Sequence, residues 1–233
     1  MSSHLKQKDV GFVSTGDDSL YAFYSNKTTN IFNSEGLIKQ TMDFSVLSNL
    51  VHTFTIAQQS YIAFGVSSNA ASSRGTVDIY RLSDDSQMTF VQSLATVGLS
   101  KLSSFASNGK SYIVVANDRD FSGDYGTYDV HVDVYAYGNT DNRFVLVQSI
   151  PAYRAIDVST HKYGSQTLLA ITHCDKSITV YRLALDFGFL LVEHIRQFHS
   201  RAAIFFDADK ETYLAVTIDG VESSKILKLN AIG

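Results

Sequence analysis

Asp118-Arg119-Asp120-Phe121-Ser122-Gly123-Asp124, followed by Asp129, is the stretch whose residue types and spacing come nearest to a recognisable chemistry. Oxygen-bearing side chains stand at the first, third and fifth places, a glycine at the sixth and a carboxylate at the twelfth, as in a calcium-binding loop. The glycine permits a turn sharp enough for alternate carboxylates to face one centre. On this pattern Asp118, Asp120, Ser122 and Asp129 are the candidate Ca2+ ligands. The match is incomplete, because the twelfth place holds Asp rather than the longer Glu and the ninth is Gly126. A long structural or recognition loop accounts for the same residues.

A second set consists of Arg74, Arg119, Tyr125, Tyr153, Arg154, His173, Asp175, His199 and Arg201, which fall in or beside the connections between strand-like runs. Guanidinium, imidazole and phenol groups beside carboxylates suit sugar hydroxyls or a polar protein surface. A third set is a column of amides and an acid, Gln40, Gln92, Gln148 and Glu193, with Asp157 in a neighbouring run. Such a column either converges on a metal in a central channel or satisfies backbone groups of an adjacent sheet. An amide that recurs in every repeat fits the second role better. Catalytic signatures are missing: there is no G-x-S-x-G, phosphate loop or dinucleotide fingerprint. His194 and His199 are five apart rather than at the i, i+4 spacing of a helical zinc pair. Asp78 and Asp133 recur at equivalent positions, where alternation turns them outward.

The elements that carry these residues recur in a fixed order. One run alternates apolar residues around an amide or acid: Met88-Phe90-Gln92-Leu94, Phe144-Leu146-Gln148-Ile150 and Phe189-Leu191-Glu193-Ile195, with a shorter Ile38-Gln40-Met42. Alternation places Phe144, Leu146, Gln148 and Ile150 on one face of a strand. A second column, Leu20, Tyr61, Tyr112, Leu168 and Tyr213, is followed two residues on by Ala22, Ala63, Val114, Ala170 or Ala215. Around it both faces are apolar, as in a strand buried on two sides. A third reads Val77–Leu82, Val132–Tyr137 and Ile178–Leu183. No i, i+3, i+4 stripe supports a helix. Turn residues separate the runs at Asp17-Asp18, Asn108-Gly109, Gly164-Ser165 and Asp207-Ala208-Asp209.

Four antiparallel strands per repeat, five times over, predict an all-β fold, a five-bladed β-propeller, as one domain over residues 1–233. The expected blades are 1–36, 37–85, 86–142, 143–188 and 189–233. Leu5-Lys6-Gln7 is a poor copy of the opening strand, so closure is expected to rely on an irregular N-terminal strand. In a four-stranded meander, alternate connections emerge on the same side. One side collects long, variable loops at Val66–Gly75, Asn117–Asp129 and Ile218–Ser224, which is where recognition is expected.

The chain has 233 residues and a net charge of −4, which argues against a nucleic-acid partner. No apolar window is long enough for a membrane span. Cys174 is the only cysteine, so no intrachain disulfide can form. The polar start, Met1–Val10, shows no secretory signal.

The repeat columns resemble the epilepsy-associated repeat, also called the EAR or EPTP repeat, which joins an F-x-x-x-Q strand, a D-V-like strand, a Y-L-A-V-A strand and a V-Y strand. The best copies are Phe144–Leu183, with Ala155-Ile156-Asp157-Val158 and Leu168-Leu169-Ala170-Ile171, and Tyr112–Asn117. The resemblance implies an extracellular, protein-binding propeller. It departs from the family in having room for five blades rather than seven, and in placing Leu82, Tyr137 or Leu183 where the fourth-strand Trp is usual. In architecture the chain is also similar to small five-bladed lectins of the tachylectin type. The expectation is therefore a non-enzymatic recognition protein. A carbohydrate-binding lectin engaging glycans or a cell-surface glycoprotein comes first, a propeller binding a protein receptor second, and a small glycan hydrolase third.

Overall fold

The computed structural model describes residues 10–15, 18–25, 28–32, 35, 37–43, 48–67, 73–83, 87–120, 127–138, 140–175, 177–196, 199–218 and 223–229. All regular structure among them is β-strand, and the strands form five antiparallel sheets. Sheet 1 holds β1 (Val10–Thr15), β2 (Asp18–Ser25), β3 (Thr28–Phe32) and β4 (Ile38–Asp43). Sheet 2 holds β5 (Ser48–Ile56), β6 (Gln59–Ser67), β7 (Arg74–Leu82) and β8 (Met88–Val97). Sheet 3 holds β9 (Leu99–Ser107), β10 (Lys110–Asn117), β11 (Asp129–Gly138) and β12 (Arg143–Tyr153). Sheet 4 holds β13 (Ala155–Tyr163), β14 (Gln166–His173), β15 (Ser177–Ala184) and β16 (Gly188–Arg196), and sheet 5 holds β17 (Ser200–Ala208), β18 (Glu211–Ile218) and β19 (Lys225–Lys228). The chain divides into two compact units, Met1–Leu99 with Phe121–Tyr125, and Ser100–Asp120 with Gly126–Gly233.

Each sheet is a meander in which strands adjacent in sequence pair. The glutamine-bearing strand closes a sheet rather than opening one. β12 pairs with β11 from Asp129↔Tyr153 to Gly138↔Arg143. The expected divisions at 36, 85, 142 and 188 therefore each fall one strand too early. The reason is that a cyclic repeat shows the order of strand types but not which strand opens a sheet: the connections on both sides of β12 are short, and only its ladder with β11 assigns it. Because the repeat is cyclic in strand type, this shift leaves the assignment of connections to the two ends of each sheet intact.

The expected face of these strands also changes. The ladder slips between Val134 and Tyr135, so Val147 is an extra residue opposite them. The same slip occurs at Ile31/Phe32, Ile79/Tyr80 and Val180/Tyr181. A bulge resets alternation. Phe144 and Ile150 are buried, each 3% exposed, but Leu146 between them is 49% exposed.

The cores lie between sheets. In the larger unit Leu169 and Ile171 join Val114, Ala116, Val132, Val134 and Ile150, while Leu168 and Ala170 join Ile178, Val180, Ala203, Phe205 and Leu214. β14 is thus buried on both faces, as its sequence requires. Burying each such Leu or Ile contributes about 1.5–3 kcal/mol. The smaller unit has its own cluster, Ile31, Val51, Ile62, Phe64, Val66 and Leu82. The first strands of sheets 3 to 5 run side by side. Ser103 Oγ and Thr160 Oγ1 share a hydrogen bond of 2.8 Å, the Ala203 N–H donates to Asp157 Oδ2 at 3.2 Å, and His161 Nε2 meets Asp207 Oδ1 at 3.0 Å.

The glutamine column does what an interior amide column should. The Gln40 Oε1 accepts the Met88 N–H at 3.0 Å. Gln148 pairs with both backbone groups of one residue, its Oε1 accepting the Phe189 N–H at 2.7 Å and its Nε2 donating to the Phe189 carbonyl at 3.0 Å. These residues sit on the last strands of their sheets, where they tie one sheet's edge to the next. Asp157 is also structural: it is buried, and burial pushes its carboxyl above the usual value while the Ala203 N–H pulls the other way.

Candidate recognition end of the larger unit

Within sheets 3 to 5 the connections β10–β11, β12–β13, β14–β15, β16–β17 and β18–β19 fall at one end, and the hairpins β9–β10, β13–β14 and β17–β18 at the other. The first end gathers most of the expected site residues. At its centre is Asp118, 7% exposed just beyond β10. Arg154 Nε donates to its Oδ1 at 2.9 Å, and Arg119 Nε lies 3.0 Å from its Oδ2. The Arg154 guanidinium carbon stands 4.6 Å above the centre of the Tyr128 ring, and Tyr128 meets Tyr153 edge-on at 6.1 Å. Ion pair and cation–π contact together fix the plane of the guanidinium. The hydrogen bond it donates to Asp118 is the main reason the Arg154 pKa is raised.

Backbone geometry places Arg154 there at a cost. It is the single residue between β12 and β13, and its φ is +49°. The equivalent residue between β8 and β9 is Gly98, with φ +62°, and the one before β17 is His199, with φ +60°. A left-handed conformation costs a residue with a Cβ about 1–2 kcal/mol. Non-glycine residues in such places are held by their surroundings and cluster at functional sites. Here the holding is visible: the Arg154 N–H donates to the Tyr128 carbonyl at 3.0 Å, and the Cys174 N–H donates to the Arg154 carbonyl at 3.0 Å.

Next to this cluster, His173 is buried at the end of β14, with its Nε2 2.7 Å from Thr179 Oγ1. Burial pushes its pKa down, opposed by the nearby Asp175 charge and a hydrogen bond with the Tyr153 backbone, and reinforced by His194. The ring is therefore neutral around pH 7. Asp175 is exposed and accepts the Ser177 hydroxyl at 2.7 Å. Arg201 and His199 lie at the same end on the β16–β17 side and are both exposed. Arg74 opens β7 in the smaller unit. Tyr125 and Ser122 lie outside the described residues.

The calcium pattern meets a different arrangement. Asp118 engages an arginine with each carboxylate oxygen. Asp120 forms a backbone bridge, its N–H donating to the Thr127 carbonyl at 2.8 Å and its carbonyl accepting the Thr127 N–H at 2.7 Å. The bridge joins the two described ends of the β10–β11 connection. Among the described residues no three His, Cys, Asp or Glu side chains converge. Asp78 and Asp133 accept hydrogen bonds from Ser93 and Ser149 at 2.6 Å. Sequence reasoning missed Tyr128 and Thr179. An aromatic one place before a strand and a hydroxyl on a strand are the only signals they carry.

The fold these sheets define is that of a β-propeller, built from blades of antiparallel strands. No protein-family model matches the chain, and no curated protein matches it in sequence. Solved structures do. A GH43 β-xylosidase/α-arabinofuranosidase from a compost metagenome, in complex with xylotriose, is 11% identical at TM-score 0.56, over 100% of this chain and 94% of that one. The α-L-arabinanase of Penicillium chrysogenum, complexed with arabinobiose, is 11% identical at TM-score 0.59, over 95% of this chain and 77% of that one. The Dos1 propeller is 10% identical at TM-score 0.57, and this chain spans 59% of its length. At such identities the likeness is one of fold.

Proposed function

We propose that this chain is a non-enzymatic recognition protein, a five-bladed β-propeller that binds glycans through the connections around Arg154. The observation that carries the reading is the strained, doubly anchored arginine. Gly98 has the same backbone conformation without that strain, yet the β12–β13 junction carries an arginine fixed against Asp118 and Tyr128. A planar guanidinium beside two tyrosines and the exposed carboxylate of Asp175 offers donors, acceptors and an apolar face, which is what a sugar ring presents in turn. Support for five blades comes from the five sheets and the recurrence of the same strand types in each. That two structures of similar fold hold xylotriose and arabinobiose agrees with a sugar ligand.

A glycan array tests the reading: the chain should bind a subset of glycans, and Arg154→Gly should weaken that binding. A blank array would overturn it. Because Asp118 is committed to arginines, chelator should change neither binding nor melting temperature. A chelator-sensitive array would restore the calcium reading. The second reading is a protein-recognition propeller of the EAR-repeat type. It is favoured by Tyr153, 43% exposed beside Arg154, since Tyr and Arg are enriched at protein interfaces. Retention by a cell-surface protein stripped of its glycans would select it.

A further inference from the structure

The hairpin tips at the opposite end of the larger unit enclose a groove of about 520 Å3, between the β9–β10 turn and the β13–β14 turn. This lies within the range of about 300–1,000 Å3 typical of small-molecule sites. Ser107, Asn108, Lys162, Ser165 and Thr167 supply its polar groups. Two features make it a formed site rather than a gap between turns. Asn108 and Gly109 both have positive φ, at 50° and 73°, so the first tip is a tight two-residue turn with a fixed backbone. The Asn108 side chain donates to Ser107 Oγ at 3.2 Å, which leaves the serine proton to be donated outward. A Cβ placed on Gly109 or Gly164 would meet nothing within 4 Å, so the space above both turns is open.

The lining has one charge. Lys162 is exposed and forms no ion pair among the described residues, and no carboxylate lines the groove. Hydroxyls and an amide around a single ammonium match a ring of hydroxyls that carries a single acid group. We propose that this groove binds one acidic sugar ring of the hexuronate type. The choice of a sugar rests on the glycan reading above, whereas the preference for an anion rests on Lys162. With one site at each end of the same unit, a single molecule could link two glycan chains.

The test is an amide chemical-shift titration of the full chain with glucuronate, using glucose as the neutral probe. Glucuronate should shift the signals of 106–109 and 162–167. Glucose, and glucuronate with Lys162→Ala, should bind at least tenfold more weakly. Ser165→Trp, a substitution at an exposed turn position, should fill the groove and abolish the shifts while leaving the Arg154 and Tyr153 signals in place. Silent tips, an undiminished response in Ser165→Trp, or equal binding of glucose would overturn the proposal. Silent tips with a positive glycan array would remove the groove alone. Tips that respond while the array is blank would leave the groove standing and remove the proposed recognition end.

Discussion

Arg154 concentrates two opposing terms, and its variants separate them. Left-handed backbone costs about 1–2 kcal/mol, and glycine removes most of it. Loss of the guanidinium leaves buried Asp118 with Arg119 alone, at about 1–3 kcal/mol for an under-satisfied polar group. Arg154→Gly is therefore expected to stay within about 1 kcal/mol of the parent protein. Arg154→Ala, which keeps the strain, should be roughly 1 kcal/mol less stable than the glycine variant. Denaturant unfolding reads both, and an alanine variant more stable than the glycine one would show that φ at this position is not strained. His173 gives a pH test. Burial holds its folded pKa below the unfolded value of about 6.5. As pH falls through that value the unfolded chain takes up the proton before the folded one, so stability should drop between about pH 7 and the lower folded pKa. Melting curves of His173→Gln should show a weaker decline over this window, and an equal decline would place the effect elsewhere. The sequence drew attention to Asp118 through local spacing, which bears only on groups inside the loop. Its pairing with Arg154, 36 residues away, leaves no mark in that spacing.

Strand order and turn positions were legible because they rest on local chemistry. Asn108-Gly109 forms the tight turn its residues demand, and the two-sided apolar pattern of Leu168–Ile171 marks a strand buried on both faces. What local patterns could not show was the bulge before each glutamine, because an extra residue looks the same as an unbroken alternation until the partner strand is known. The bulge has a function in packing: it turns Gln148 out of its own sheet so that both ends of the amide meet the backbone of Phe189. Gly188, just before that residue, has φ +75°, and a Cβ there would lie 2.5 Å from Gln148 Oε1. Two substitutions should therefore converge. Gln148→Ala leaves a peptide N–H and carbonyl unpaired and should cost about 1–3 kcal/mol. Gly188→Ala meets both the strain and the clash, and should cost at least as much. In the double variant the costs should not add, because the clash disappears with the amide. Additive losses in a thermodynamic cycle would mean that the glycine acts only through its own backbone.

For the molecule as a whole, repetition fixed the fold but not the ligand. The columns that recur, apolar pairs, small residues and bridging amides, are those that join strands and sheets. The residues that differ between repeats, Gly98, Arg154 and His199 at one structural position, are where recognition can be placed. Divergence at that position means that any one sheet junction contributes a different contact, so an individual sugar should bind weakly. Two such junctions at the same end of one rigid unit, at Arg154 and His199, would act together on a dense glycan surface, where linked sites gain about 10²–10⁴-fold over one alone. Binding to immobilised glycan should accordingly exceed binding to the same free oligosaccharide by at least tenfold. Arg154→Gly and His199→Gly should each reduce surface binding towards the free-sugar value, and together should remove it. If the surface and solution affinities agree, only one site engages the glycan, and the variant that retains full binding identifies which junction is silent.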